Sequence, residues 1–136
     1  MFFEDDPGYF TKAMKYGDPV LYEMIKQTGQ SVILDRSYPS EMAYSQAFER
    51  STDWRMLRVV DELAASIGTH IIVPYRTNYT LTKDDFSSIT HEKLIALHCL
   101  YEQFCNWTKC RVLRICVDDE DLKREMSEII SFMGIL

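Results

Sequence analysis

Two residues of opposite charge stand side by side at the end of a short apolar run. Asp35 and Arg36 follow residues 31–34 in the stretch SVILDRSYPSEMAYSQ. A guanidinium is a planar fork of hydrogen-bond donors, and this fork suits the geometry of a phosphate. If the apolar run is a buried strand, the pair lies where a sheet could hold a phosphate-bearing ligand.

Further charged residues follow two other apolar runs. Arg76 comes directly after HIIVPY, residues 70–75. Asp118 and Asp119 come directly after RVLRICV, residues 111–117. The carboxyl ends of parallel strands share one edge of a sheet, and open α/β sheets bind ligands beyond that edge. We therefore expect these groups to converge there with the Asp-Arg pair.

The elements that would position these groups alternate along the chain. Strands are predicted at residues 1–4, 31–34, 70–75 and 111–117. Helices are predicted at residues 9–16, 18–28, about 40–50 and 54–67, around Leu94–Phe104, and after the DDED of residues 118–121. Strands that alternate with helices of this length indicate an α/β fold with a parallel sheet flanked by helices.

The helix ends and faces give more detailed expectations. Asp18 is predicted as an N-cap, with Pro19 in the first helical position and Gly29 just after the helix. The DDED run is predicted to complement the dipole at the start of the closing helix. The inward face of that helix is predicted to carry four apolar residues: Leu122, Met126, Ile129 and Met133.

Length and composition indicate a single domain over residues 1–136. The chain is 46% hydrophobic and 26% charged, with a formal net charge of −6. This acidic balance argues against a non-specific nucleic-acid binder, which is normally basic. No apolar run approaches the roughly 20 residues that span a bilayer, and MFFEDDPG lacks the features of a signal peptide. We therefore expect no nucleic-acid or membrane partner and a cytoplasmic location.

The four cysteines are spaced too loosely for a usual zinc site. Their pattern is C-x5-C-x4-C-x5-C, without the tight pairs typical of zinc ligands. The cysteines are Cys99, Cys105, Cys110 and Cys116. We expect no metal site and interpret them as small thiols in a reducing compartment.

The order of these motifs resembles that of thymidylate kinases and related phage deoxynucleoside monophosphate kinases. In that family a buried strand ends in Asp-Arg, with a Ser and an Ala-Tyr at fixed distances, as in DRSYPSEMAY here. DDPG resembles the Glu-Pro-Gly turn after the family's second strand. HIIVPYR resembles the strand before its lid, TNYTLTKDDF resembles a lid segment, and LIALHCLYEQF the helix that follows. The likeness covers residues 2–132.

One motif of the family has no counterpart here. The family carries a phosphate-binding loop, G-x-x-x-x-G-K-[ST], before its first helix. None of the five glycines in this chain is followed by lysine. The resemblance therefore implies a fold truncated at the N-terminus, without the first strand, the P-loop and the first helix.

This departure predicts two consequences. The loop holds the donor phosphates and a magnesium ion, so we expect no confident cofactor and a very poor kinase, with ATP and Mg²⁺ relevant only if the donor site is completed. The first strand lies between the counterparts of residues 31–35 and 70–75 in the family. We therefore expect either a rearranged sheet or a contact at its open edge, made by a homo-oligomer or a partner chain.

The resemblance implies that Arg36 binds the phosphate of an acceptor nucleotide, the alternative being a salt bridge with Asp35 or Glu41. Asp35 would orient Arg36 or reach magnesium through water, or else cap the next helix. Ser40 is assigned to the site, although we favour an N-cap role. Tyr44 would border the nucleobase, or belong to the core.

Two more arginines complete the predicted nucleotide site. Arg50 would contact phosphate further along the same helix, although a solvated helix arginine is the favoured interpretation. Arg76 would lie at the base of the lid near the donor phosphates, where, without the P-loop, it would bind an anion or no ligand. We predict no catalytic residue.

Three functions remain open from the sequence. The leading one is a kinase-like protein that moves a phosphoryl group from ATP to a deoxynucleoside monophosphate if the P-loop is supplied. The second is a pseudoenzyme, possibly of phage origin, that binds a nucleotide or phosphate ligand to sequester or sense it. The third is an assembly protein that uses the remnant fold.

Overall fold

The computed structural model describes residues 7–77 and 89–134. Five helices and two strands follow one another in this part of the chain: α1 (Pro7–Thr28), α2 (Tyr38–Ala47), α3 (Trp54–Ser66), β1 (His70–Tyr75), α4 (His91–Trp107), β2 (Arg111–Cys116) and α5 (Leu122–Met133). The predicted strand at residues 1–4 lies outside the described residues. None of the described helices is long and apolar enough to cross a membrane.

The sheet consists of β1 and β2, which run parallel, with His70 opposite Arg111 and Tyr75 opposite Cys116. α4 lies between the two strands in the chain and forms a crossover connection, as parallel strands require. The expected parallel sheet flanked by helices is confirmed in this small, two-stranded form.

Helices lie on both faces of the sheet. On one face, His98 of α4 contacts the ring of Tyr75 with centroids 5.9 Å apart. On the other face, Phe132 of α5 contacts the ring of His70 at 5.1 Å. Side chains alternate between faces along a strand, so His70 and Tyr75 point to opposite faces. The sheet is thus the middle layer of three.

The largest core cluster joins α1, α2, α3 and α4. Its fully buried side chains include Tyr38, Leu57, Val60 and Phe104. The ring of Tyr38 meets that of Phe104 edge-on at 5.8 Å, a favoured geometry for aromatic pairs. This cluster fixes the start of α2, where the predicted site residues lie.

The prediction of a buried strand at residues 31–34 is wrong. This segment belongs to neither a helix nor a strand and is exposed, with Ile33 98% accessible. A strand needs a neighbour that takes up its backbone hydrogen bonds. Within the described residues, no strand pairs with this segment. Apolar composition alone therefore could not make it part of the sheet.

The two helices predicted at the start of the chain are one helix, α1, and Pro19 lies inside it. Asp18 is consequently not an N-cap. Proline removes one backbone hydrogen bond but does not always end a helix, and burial of Tyr22 on this helix supports its continuation. Gly29 follows the helix with φ of 66°, as predicted for a left-handed C-terminal position.

The inward face of α5 also differs from the prediction. Leu122 and Met126 are 73% and 52% exposed, whereas Glu125 is buried. Ile129 and Met133 are half-buried. A sheet of two strands offers a narrow surface, and α5 contacts it through Phe132. The helix is therefore rotated away from the face that its apolar pattern predicts.

Candidate functional site

Arg36 lies at the turn between the exposed segment 31–34 and α2. Its φ of 69° is in the left-handed region, which costs a residue with a side chain on the order of 1 kcal/mol. Its guanidinium lies 5.7 Å from the centre of the Tyr44 ring. The Tyr44 ring in turn stacks on Phe48, with centroids 5.9 Å apart and planes 11° from parallel. The structure therefore brings two of the predicted site residues, Arg36 and Tyr44, together.

A hydroxyl pair lies beside this contact. Ser40 and Tyr101 share a hydrogen bond of 2.9 Å between their side-chain oxygens, which ties α2 to α4. Burial raises the pKa of the Tyr101 phenol, while the hydrogen bond with Ser40 and the charge of Arg36 act in the opposite direction. Ser40 is in the first turn of α2, and the N-cap position belongs to Ser37. The predicted N-cap role of Ser40 is therefore wrong.

Two alternatives are predicted from the sequence: a salt bridge of Arg36 with Asp35 or Glu41, and a helix-capping role for Asp35. Neither is found. Glu41 pairs with Arg50 instead of Arg36, and no described carboxylate lies within salt-bridge distance of the Arg36 guanidinium. Asp35 is exposed and does not occupy the N-cap position of α2. Arg36 thus offers an exposed guanidinium that no described acidic group neutralises.

Arg50 is held by an acidic neighbour. Its two terminal nitrogens lie 3.3 and 3.5 Å from the two oxygens of Glu41. Glu41 also lies near Asp18 of α1, where burial, followed by the charge of Glu41, raises the pKa of Asp18. One oxygen of Asp18 is buried without a hydrogen-bond partner among the described residues. Arg50 therefore pairs with Glu41, and the structure does not place it beside Arg36.

The carboxyl ends of β1 and β2 hold a second group of charges. Arg76 lies 3.7 Å from Glu120, and Asp118 accepts bonds from the backbone N–H (3.1 Å) and the hydroxyl of Thr77. These bonds from Thr77 lower the pKa of Asp118. The structure confirms that Arg76 and Asp118 belong to one edge of the sheet.

Asp119 at this edge is bound by an arginine. Arg124 donates to both oxygens of Asp119, at 3.0 and 2.9 Å, and also to the carbonyl of Cys116 at 2.6 Å. Asp121 caps α5 by accepting from the N–H of Arg124, so the acidic run lies at the start of this helix, as predicted. The charges at this edge are thus largely compensated from within the chain.

The single site that the sequence predicts is therefore divided between two places. Asp35 and Arg36 do not extend a strand, so the shared geometry of strand ends does not apply to them. Arg36 joins Tyr44, Ser40 and Tyr101 between α2 and α4; we call these four residues the Arg36 cluster. Arg76 belongs to the sheet edge.

Sequence reasoning missed two features of this region. Tyr101 is one of them, since nothing local in the sequence relates it to Ser40, 61 positions away. Asp61 is fully buried; here a signal existed, since it follows Leu57 and Val60 at the spacing of the apolar face of α3.

No family model matches the chain, and neither does any curated protein or any solved structure. The fold and the site define an α/β protein with a small parallel sheet and an arginine, beside aromatic rings, that pairs with no described carboxylate. In the described part of the chain, no group of three or more His, Cys, Asp or Glu side chains could hold a metal ion. The Arg36 cluster can bind an anion and contact a planar ring; it contains no evident pair of nucleophile and base.

Proposed function

We propose that the chain binds a deoxynucleoside monophosphate at the Arg36 cluster, as the acceptor side of a thymidylate-kinase-like protein. The observation that carries this proposal is the exposed guanidinium of Arg36, which lies over Tyr44 and is paired with no described carboxylate. An exposed arginine without such a partner retains its full capacity to bind phosphate.

The neighbours of Arg36 suit the rest of a nucleotide. Tyr44 supplies an aromatic surface beside the guanidinium, and base–aromatic stacking adds roughly 1–3 kcal/mol per base. The hydroxyls of Ser40 and Tyr101 supply polar atoms that can exchange hydrogen bonds with a sugar or phosphate. Since no described carboxylate forms a salt bridge with the Arg36 side chain, the guanidinium can turn from the ring towards a phosphate when a ligand arrives.

The proposed activity of the chain alone is binding without turnover, which fits a sequestering or sensing role. Phosphoryl transfer depends on a cradle that positions and neutralises the donor phosphates, and these 136 residues contain no G-x-x-x-x-G-K-[ST]. Transfer from ATP to the bound monophosphate would require a P-loop supplied from elsewhere. We assign no step involving ATP or magnesium to these residues.

Titration calorimetry tests the binding proposal. dTMP should bind, whereas thymidine and inorganic phosphate, each lacking half of the contacts, should bind more weakly. Arg36→Ala should weaken dTMP binding by about 10- to 100-fold, the value of a charge-assisted contact. Arg55→Ala, which removes an exposed arginine from α3, is the matched control and should not change the affinity.

Two results would contradict the proposal. One is an Arg36→Ala variant that binds dTMP as tightly as the parent chain, and the other is a parent chain that binds no nucleotide. A coupled assay for ADP release then separates binding from turnover. Turnover by the isolated chain would overturn the assignment as a pseudoenzyme.

Assembly is a second candidate function, favoured by a specific observation. β2 is the sole hydrogen-bonded neighbour of β1 within the described residues, and unpaired strand edges readily accept another strand. A second copy or another chain at this edge would extend the sheet to three strands. The expected result in light scattering is a mass above that of one chain.

A further inference from the structure

The free edge of β1 has a defined set of hydrogen-bonding groups. The carbonyl of Tyr75 accepts a bond of 3.0 Å from the N–H of Val117, on the side of β2. The N–H and C=O of one residue in a strand point to the same edge, and successive residues alternate. Ile71 and Val73 therefore face β2 as Tyr75 does. His70, Ile72 and Pro74 face the open edge.

Pro74 limits how far this open edge can be used. Proline has no N–H, and because Pro74 faces the free edge, no hydrogen bond between β1 and β2 is lost. A strand that adds to the free edge can bond to His70 and Ile72, but it finds no donor at Pro74. The edge available for pairing is therefore about four residues long, from residue 70 to residue 73.

The same chain carries a segment of matching length and chemistry, which pairs with no strand within the described residues. Residues 31–34, Ser-Val-Ile-Leu, belong to neither a helix nor a strand. Two of them, Val32 and Ile33, are β-branched, as favoured in strands. Their exposed fractions are 48% and 98%, and that of Leu34 is 36%. Exposure of three consecutive apolar side chains is unfavourable in water.

We propose that residues 31–34 of one copy of the chain add as a strand to the free edge of β1 in a second copy. Within one copy the segment and the edge do not pair, although the backbone of the segment could form the hydrogen bonds that the edge leaves open. In a symmetric dimer, the segment of each copy would pair with the free β1 edge of the other copy. Both segments and both of these edges would then have a partner. This inference rests on the assembly role proposed above and is independent of nucleotide binding.

Light scattering after size exclusion gives the first test. The parent chain should have twice the 16.0 kDa mass of one chain. Ile33→Lys should give the monomer, because a charge on an added strand would be buried in the interface. Val59→Lys is the matched control: Val59 is also β-branched and 55% exposed, but lies on α3. This variant should remain dimeric.

Amide hydrogen exchange locates the contact in the parent chain itself. The N–H of Ile72 faces the free edge, so it should be protected in the dimer and exchange at least tenfold faster in Ile33→Lys. The N–H of Val73 bonds to β2 and should be protected equally in both. Circular dichroism checks that the variant is folded, as expected for a substitution at a residue that is almost fully accessible.

Three results would overturn the inference. They are a monomeric parent chain at all concentrations, a dimer that Ile33→Lys leaves intact, and a dimer in which the N–H of Ile72 exchanges as fast as in the monomer. Loss of dTMP binding in Arg36→Ala has no bearing on any of them, so the two proposals fail separately.

Discussion

At the scale of single residues, the carboxylate of Asp61 is held in place by several hydrogen bonds. It is fully buried and accepts hydrogen bonds from the hydroxyl of Tyr38 at 2.7 Å, the backbone N–H of Lys109 at 2.8 Å and the hydroxyl of Thr108. Arg58 lies 3.6 Å away. A buried charge is tolerated when such donors satisfy it, so this residue joins α2, α3 and the segment before β2.

Asp61→Ala should therefore destabilise the fold strongly. The substitution leaves the hydroxyls of Tyr38 and Thr108 and a backbone N–H without their acceptor, which should cost about 3 kcal/mol of unfolding free energy. Urea unfolding followed by circular dichroism measures the change. Glu62→Ala removes the adjacent carboxylate, which forms an exposed salt bridge with Lys109, and should change stability by about 0.5 kcal/mol or less. Equal effects of the two substitutions would disprove the special role of Asp61.

Predictability from sequence differs between residues of the candidate site. Tyr44 and Arg36 are eight positions apart, on one turn and the helix that follows, so a local motif could relate them. Tyr101 reaches the same place only through the packing of α4 on α2. The prediction that Arg36 follows the end of a strand is wrong because residues 31–34 do not form a strand.

At the scale of elements, patterns contained within one helix or strand were predicted well. The helix predicted at residues 54–67 is α3, Trp54–Ser66, and Gly29 follows α1 with φ of 66°, as predicted. β1 covers the predicted residues 70–75. These features depend on a few neighbouring residues, whose chemistry is visible in the sequence.

Elements that depend on distant partners were predicted less well. Residues 31–34 have the composition of a strand, but a strand exists only through the neighbour that it pairs with. The same holds for α5, because its apolar pattern predicts the helix but not which face of the helix contacts the narrow sheet. The outcome is a buried Glu125 and an exposed Leu122.

The rotation of α5 leads to a prediction for Glu125. One of its carboxylate oxygens is buried and has no hydrogen-bond partner among the described residues. Burying such a group costs roughly 1–3 kcal/mol in proteins, so Glu125→Leu should raise the unfolding free energy by about 1–2 kcal/mol. Urea unfolding is the measurement. Glu128→Leu, at an exposed position of the same helix, should not stabilise the fold, and a loss of stability in Glu125→Leu would contradict the prediction.

At the scale of the whole molecule, which has a net charge of −6, the stability depends on pH through the surroundings of each carboxylate. Asp118 and Asp119 have lowered pKa values because Thr77 and Arg124 donate to them. Their contribution is present above the ordinary value of 3.8 and is lost as the pH falls through the lowered value. Asp18 acts in the opposite direction, since burial and the charge of Glu41 raise its pKa.

Asp18→Asn should therefore stabilise the chain at neutral pH. The unfolded chain loses the Asp18 proton near pH 3.8, whereas the folded chain holds it to a higher pH. The parent chain thus loses stability as the pH rises between these two values, and the difference remains constant above them. Asparagine removes this loss, so the advantage of the variant should grow from pH 3 to neutral pH in urea unfolding. Glu23→Gln removes one exposed charge from the same helix and should show no such growth. If the advantage of Asp18→Asn is the same at every pH, the carboxylate of Asp18 is not held out of water between α1 and α2.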